Sequence, residues 1–256
     1  MSAAKFGLKF IDVDIHEYLV DPTIGKHTYT DFDLRMVSMY IPMPEPKTQL
    51  VDLPFASGSV DLTEAAGITP YADRSGLSFE FVYFGDLTHW PIMTHNLANY
   101  LHGKKLIMIP DNDIEHYYVV RLQLDSQKSN KIACKVVLTG TADPYKYSLL
   151  DTHDPWLWDP FSFVDGEITS TADIVVDGTA TATITAGGLV SSMEFIVTEA
   201  GPGLGVVYNT NPPRTLYMPA TGVYVFPQIR AGGPDDTVIT LVGQGKVSIA
   251  YRKKYL

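Results

Sequence analysis

VDLPFASGSVDLTE, residues 51–64, gathers three acids, two serines and a glycine into fourteen positions. Such crowding is what part of an active site would show, and it is also what a shaped turn would show. The hydrolase reading fails for the serines: Ser59 stands in ASGSV, not in the Gly-x-Ser-x-Gly elbow that lifts a nucleophile between strand and helix. Asp52, Asp61 and Glu64 could serve as a carboxylate pair for glycoside hydrolysis only at the right separation in space, which sequence does not give. The backbone chemistry favours a scaffold. Pro54 ends one extended segment, Gly58 permits a turn with positive φ, and Val60 and Leu62 alternate about Asp61 as a short strand resumes.

Upstream lies IPMPEPKTQLV, residues 41–51. Pro42, Pro44 and Pro46 fix φ and remove a backbone donor at every second residue. The segment is therefore extended and cannot sit in the middle of a sheet. It reads as an arm or an edge that leads into VDLPFASGSVDLTE.

The flanking sequence supplies the body. Phe6, Leu8 and Phe10 alternate as an opening strand, residues 21–35 read as a loop, and Arg35–Ile41 as a strand. Ser78–Phe84, SFEFVYF, is a strand with Phe79, Phe81 and Tyr83 on one face. Trp90–His102 is the one helix, with Thr88 as its cap, Pro91 in its first turn, Met93, Leu97, Tyr100 and Leu101 as its apolar stripe, and Gly103 as its stop. Lys105–Ile109 and Tyr117–Leu124 pair around PDNDIEH, Lys131–Leu138 follows, and Asp143-Pro144 marks a boundary. Residues 146–164 form an aromatic-rich connector. From about Glu167 onward ATATITA, SMEFIVTEA, GVYVFPQI, DTVITLV and KVSIAYR alternate between Gly, Pro and Asp turns, the pattern of an all-β sandwich.

Composition bounds the function. The chain is 45% hydrophobic and 19% charged, as in a folded globular protein. Its 19 Lys and Arg stand against 29 Asp and Glu, and both halves are acidic. Arg252-Lys253-Lys254 is the one basic cluster, so no basic face for nucleic acid is expected. Cys134 is the single cysteine, which excludes an internal disulfide and a cysteine-rich metal site and suits folding in a reducing cytoplasm. Lys9, Asp12, Asp14 and Glu17 break any apolar run near the N-terminus, so no secretory signal is expected there. No run of about 18 apolar residues occurs, so no membrane insertion is expected.

The remaining motifs carry little chemistry. Asp111–Glu115 begins like a calcium loop, but His116 stands where glycine is required and Leu122 where a bidentate glutamate is required. A hairpin turn is the better reading. His95 and His102 lie seven apart on the helix without a His-Glu-x-x-His pattern, which suits a packed or solvated face. GPGLG, residues 201–205, opens no helix and is not a nucleotide loop. Sugar binding by the sandwich is the alternative function. Trp90, Trp156 and Trp158 all precede that region, leaving Tyr208, Tyr217 and Tyr224 as its candidate platform.

The order of features carries a resemblance. Lys47-Thr48, Val51-Asp52 and Pro54 are followed by Gly58 and Asp61-Leu62-Thr63-Glu64, then Tyr71 and Asp73-Arg74 before an aromatic strand. Leu101-His102-Gly103-Lys104, an acidic turn, Tyr117-Tyr118, Arg121 and Asp143–Tyr147 complete the set. Over most of residues 40–147 this resembles the distal tail protein (Dit) family of long-tailed, non-contractile bacteriophages. One departure is Phe55-Ala56, where the family often has a glycine.

The resemblance implies a mainly β protein: an N-terminal β-sandwich-like, ring-forming belt domain (1–147) with one helix and an extended arm or hairpin, a connector (148–166) and a C-terminal galectin-like β-sandwich (167–256). It also implies a non-enzymatic virion protein without cofactor or metal, made in the host cytoplasm. Six copies would form a tail-tip ring between the tail tube protein and the tail-associated lysin, fibre or receptor-binding protein, and phage DNA would pass through unbound. Pro44, Pro46, Lys47, Val51, Asp52, Pro54, Gly58, Asp61, Leu62, Thr63, Glu64 and Arg74 are the residues expected at or near the ring contact.

Overall fold

The computed structural model describes residues 6–14, 24–55, 57–65, 67–129, 134–149, 151–152 and 171–256. The chain divides into two compact units, Met1–Lys146 with Leu256, and Tyr147–Tyr255. Each has its own hydrophobic core.

In the first unit, β1 (Leu8–Asp12), β2 (Lys26–His27), α1 (Thr28–Phe32), β3 (Leu34–Tyr40), β4 (Leu50–Asp52), β5 (Ser59–Asp61) and β6 (Arg74–Tyr83) follow in chain order. Then come α2 (Trp90–Leu101), β7 (Lys105–Pro110), β8 (His116–Ser129) and β9 (Cys134–Ser148). One sheet runs β2-β1-β7-β8-β9-β6-β3, and β4-β5 stands apart from it as a two-stranded sheet. The inward face of β6 buries Leu77, Phe79, Phe81 and Tyr83, as the alternation requires. Against it pack Trp90, Met93, Leu97 and Leu101 of α2 and Phe32 of α1. Burying each such side chain is worth about 1.5–3 kcal/mol, so this face anchors everything attached to its rim. Tyr100 completes the helix stripe from its edge, its hydroxyl donating to the Phe10 carbonyl at 2.8 Å.

Three local expectations are corrected. The polar stretch read as a loop contains β2 and α1; its residues 21–23 lie outside the described set. The short helix forms because His27 Nδ1 accepts from the Tyr29 N–H, Asp31 accepts from the His27 N–H, and Asp33 ends the turn at a φ of 51°. Thr88 does not cap α2. It sits in a 3-10 turn, Leu87–His89, and donates its N–H to Asp86 Oδ1, so the better-placed aspartate takes the capping role one turn early. Asp143-Pro144 is no strand boundary, because β9 runs through it and its last two residues, Tyr147 and Ser148, belong to the second unit.

The second unit contains β10 (Ile174–Ile184), β11 (Ser191–Ala200), β12 (Gly205–Tyr208), β13 (Arg214–Tyr217), β14 (Gly222–Ala231), β15 (Thr237–Ala250) and β16 (Lys254–Tyr255). Its sheet runs β13-β12-β15-β11-β14, with β10 also on β15. DTVITLV and KVSIAYR, read as separate strands, are joined in the single strand β15. One flank of β15 pairs with β10 along Thr237–Val247. The other flank changes partner, from β12 at Leu241 and Val242 to β11 from Gly245 onward.

Gly243 and Gly245 occupy that changeover. A Cβ at Gly243 would stand 2.3 Å from the Gly203 backbone, and one at Gly245 would stand 2.3 Å from the Glu199 carbonyl oxygen. Glycine is thus what lets the strand bend between partners and curl the sheet into a β-sandwich. Val176, Ile184, Phe195, Val197, Val206, Leu241, Val247 and Ile249 fill its interior. The aromatic connector with Trp156 and Trp158 lies outside the described residues.

Candidate assembly surface

VDLPFASGSVDLTE forms a hairpin that stands clear of its own unit. Leu50, Val51 and Asp52 pair with Asp61, Val60 and Ser59. All six residues are exposed. The acids are used locally: Asp52 accepts from the Ser59 hydroxyl, Asp61 from the Thr63 N–H at 2.9 Å, and Glu64 from the Thr69 hydroxyl at 2.9 Å. The Thr63 hydrogen bonds hold the Asp61 carboxyl below its ordinary pKa, so it is an anionic turn acceptor. No acid of the hairpin is paired with a base among the described residues. Carboxylates pinned in Asx-type turns are scaffold chemistry.

The apolar side chains define the surface. Leu50, Val51, Leu53, Phe55, Val60 and Leu62 are all exposed, and Phe55 extends fully into solvent. Phe55 has a φ of 65°, in the left-handed region that favours glycine. A phenylalanine here therefore carries a backbone cost that a glycine would not. Gly58, at a φ of 84°, makes the return turn as expected.

The hairpin's root is tied to the chain that follows it by backbone bonds. Lys47 donates its N–H to the Pro70 carbonyl and Ala72 to the Glu45 carbonyl, each at 2.8 Å, on either side of a Pro46–Tyr71 bridge. Beneath it lies Arg74, 2% exposed. Its Nη1 donates to the Pro42 carbonyl at 2.8 Å and its Nε to the Pro144 carbonyl at 3.0 Å. The guanidinium lies 5.6 Å from the Tyr118 ring centroid. Burial lowers the pKa of Arg74 while Tyr118 opposes the shift, and the group stays a cation throughout the ordinary range. One buried fork therefore ties the start of the arm to β9.

The sequence-predicted residues separate by role. Pro44 and Arg74 are buried anchors, Thr63 is half-buried, and Pro46, Lys47, Val51, Asp52, Pro54, Gly58, Asp61, Leu62 and Glu64 are exposed. Sequence reasoning missed Leu50, Leu53, Phe55 and Val60 as a group. Their signal was an apolar count too high for a segment that three prolines keep out of a sheet.

Other candidates resolve into structure. Asp111 and Asp113 flank a hairpin turn, where Asp111 meets His27 Nε2 at 2.9 Å and Asp113 meets His116 Nδ1 at 2.6 Å and Lys146 Nζ at 2.8 Å. His95 meets Asn99, and His102 Nδ1 accepts from the Leu124 N–H. No cluster of three or more His, Cys, Asp or Glu fit to hold a metal occurs among the described residues. No helix among them is long and apolar enough to cross a membrane. Tyr208 packs against the second core, the Tyr224 hydroxyl is bonded to Ala220, and Tyr217 is exposed.

Comparison with known proteins follows the fold rather than the sequence. No family model and no curated protein matches the chain. Among solved structures, a chain of the phage p2 baseplate in its activated conformation with Sr is matched at 11% identity and a TM-score of 0.39, over 98% of this chain and 99% of that one. The Dit (gp 19.1) protein of SPP1, described as a paradigm of the hub adsorption apparatus in phages that infect Gram-positive bacteria, is matched at 13% identity and a TM-score of 0.62. That match covers 98% of this chain and 99% of the SPP1 protein, so the two share one fold from end to end.

Proposed function

We propose that this chain is a distal tail hub protein, a structural component of the tail tip of a long-tailed, non-contractile bacteriophage. Six copies close into a ring that joins the tail tube to the tail-associated lysin, fibre or receptor-binding protein. The observation that carries this reading is the end-to-end likeness to SPP1 Dit, which spans both units and not one shared module. The residue chemistry agrees with it. An apolar hairpin on a hydrogen-bonded root is an aggregation hazard in a free monomer and a connector in an assembly. Residues 42–69 lie at or near the ring contact in this reading, and the copies close by head-to-tail association.

The role is geometric, not catalytic. The acids of residues 51–64 are held by local hydrogen bonds, Asp52 by the Ser59 hydroxyl, Asp61 by the Thr63 N–H and Glu64 by the Thr69 hydroxyl. A net charge of −10 suits a ring through which DNA passes without adhering. The second unit supplies the galectin-like sandwich in this reading. Light scattering combined with negative-stain imaging tests the proposal: the expected particle is a closed ring of six copies. A particle that stays monomeric at high concentration, alone and with its tail partners, refutes it.

A further inference from the structure

We propose that the hairpin is received by the outer face of β3 on the next copy of this chain, with Arg35 as the charged anchor of that face. The inference rests on the hub-ring reading and names the surface that completes the contact. β3 ends its sheet, with β6 as its one neighbour in the strand order. Leu34 and Met36 point into the core, while Arg35, Ser38 and Tyr40 lie opposite Val82, Glu80 and Ser78 on the outer face. A bulge between Met36 and Ser38 adds Val37 to the exposed side. Val37 is 57% exposed and Tyr40 is 60% exposed, an apolar surface that no element among the described residues covers. The edge backbone is partly spent, since the Met36 N–H donates to the Phe6 carbonyl at 3.2 Å. Docking here is therefore carried by side chains and not by strand addition along the whole edge.

Charge selects the occupant. The Arg35 guanidinium lies 6.0 Å from the ring centroids of both Tyr29 and Phe84 and meets no carboxylate among the described residues. Nearby Glu80 is already paired with Lys135 at 2.8 Å. In a chain with ten more acids than bases, an aromatic-stacked cation on an apolar edge is a specific feature. The hairpin offers its complement: Asp52, Asp61 and Glu64 set among Leu50, Val51, Leu53, Phe55, Val60 and Leu62. Among the described residues of their own copy these acids meet hydroxyls and a backbone N–H but no cation, and the apolar side chains stay exposed. The arm leaves β3 directly after Tyr40 and is fixed at Pro46 and Arg74 with its hairpin side chains exposed. It is thus presented to a second copy and not folded back on its own β3. Donor and acceptor are different patches, so each copy both gives and receives, as head-to-tail closure requires.

The test is a charge swap in the full chain, read by sedimentation and light scattering. Arg35→Glu alone, and Asp52→Lys with Asp61→Lys alone, should each weaken assembly by about tenfold or more. An equimolar mixture of the two variants should assemble, because the face carrying Arg35→Glu takes the lysine-bearing arm and the unsubstituted Arg35 face takes the acidic arm. Since Cys134 is buried, a mixture of Tyr40→Cys and Val60→Cys chains should also give an intermolecular disulfide over a low background. Wild-type-like assembly of Arg35→Glu, together with no cross-link, overturns the acceptor and leaves the ring reading standing. Rescue within a triple-substituted chain but not in the mixture shows docking within one copy and overturns the proposal. Failure of the wild-type chain to assemble, even with its tail partners, overturns both.

Discussion

At the residue scale two side chains show how the arm is built. Phe55 holds a backbone conformation that costs an L-residue about 1–2 kcal/mol, while its ring is wholly in solvent. Nothing among the described residues of its own copy repays that cost, which points to a contact made elsewhere. Phe55→Gly should leave chemical stability unchanged or raised by up to about 1 kcal/mol, yet weaken assembly. Denaturant titration and sedimentation read the two effects separately, and a loss of stability with assembly intact would contradict the argument. Arg74 presents the opposite case, a buried cation whose partners are carbonyls. Arg74→Met would leave the Pro42 and Pro144 carbonyls without their donor, at a cost of about 1–3 kcal/mol. Exchange should quicken at the Lys47 and Ala72 amides, which donate the root's backbone bonds. Exchange confined to other segments would show that Arg74 does not hold the root.

Among the elements, legibility followed how local the cause was. The inward face of β6, the stripe of α2 and the alternation of β10, β11 and β14 were readable because each repeats with its own period. The proline-spaced arm was readable because proline acts on its own backbone. The capping by Asp86 of the 3-10 turn before α2, the helix at Thr28–Phe32 and the joining of two stretches into β15 were not. Each depends on a choice between competing partners that no single window contains. β15 is the sharpest example, since Gly243 looks like a strand breaker in sequence and serves as the bend that lets one strand serve two neighbours. Gly243→Ala combines a φ of 96° with a Cβ 2.3 Å from the Gly203 backbone. It should destabilise the sandwich by more than about 2 kcal/mol, measured as a lowered thermal midpoint. The turn between β7 and β8 carries a pH signature instead. Burial raises the pKa of Asp113, but hydrogen bonds and attraction from His116 and Lys146 outweigh it and leave the pKa lowered. A folded pKa below the unfolded value gives stability that is full above the unfolded pKa of about 3.9 and lost as pH falls through the folded pKa. Asp113→Asn should therefore cost stability at neutral pH and flatten the acid limb below about pH 4; an unchanged acid limb would count against the pairing.

For the whole molecule, the decisive property is that each unit has a core of its own, while the proposed assembly surface lies in the first unit alone. The second unit has a core of its own, from Val176 through Tyr251, and the ladders of β10, β11, β12, β13, β14 and β15 all lie within it. The chain entering it at Ser148 is bonded there to Lys253 and Arg252. A fragment of residues 147–256 should accordingly fold by itself, with a β-type circular dichroism spectrum and one cooperative thermal transition. The exposed arm, its Arg74 root and the open face of β3 all belong to the first unit. If assembly is carried there, the fragment stays monomeric at concentrations where the full chain forms rings, and the full chain bearing Arg35→Glu behaves as the fragment does. A folded fragment that forms rings unaided would move the assembly surface into the sandwich, and the hairpin would then need another partner, such as the tail tube or the tail-associated lysin. A fragment without a cooperative transition would instead show that the sandwich depends on the first unit for stability, in spite of its separate core.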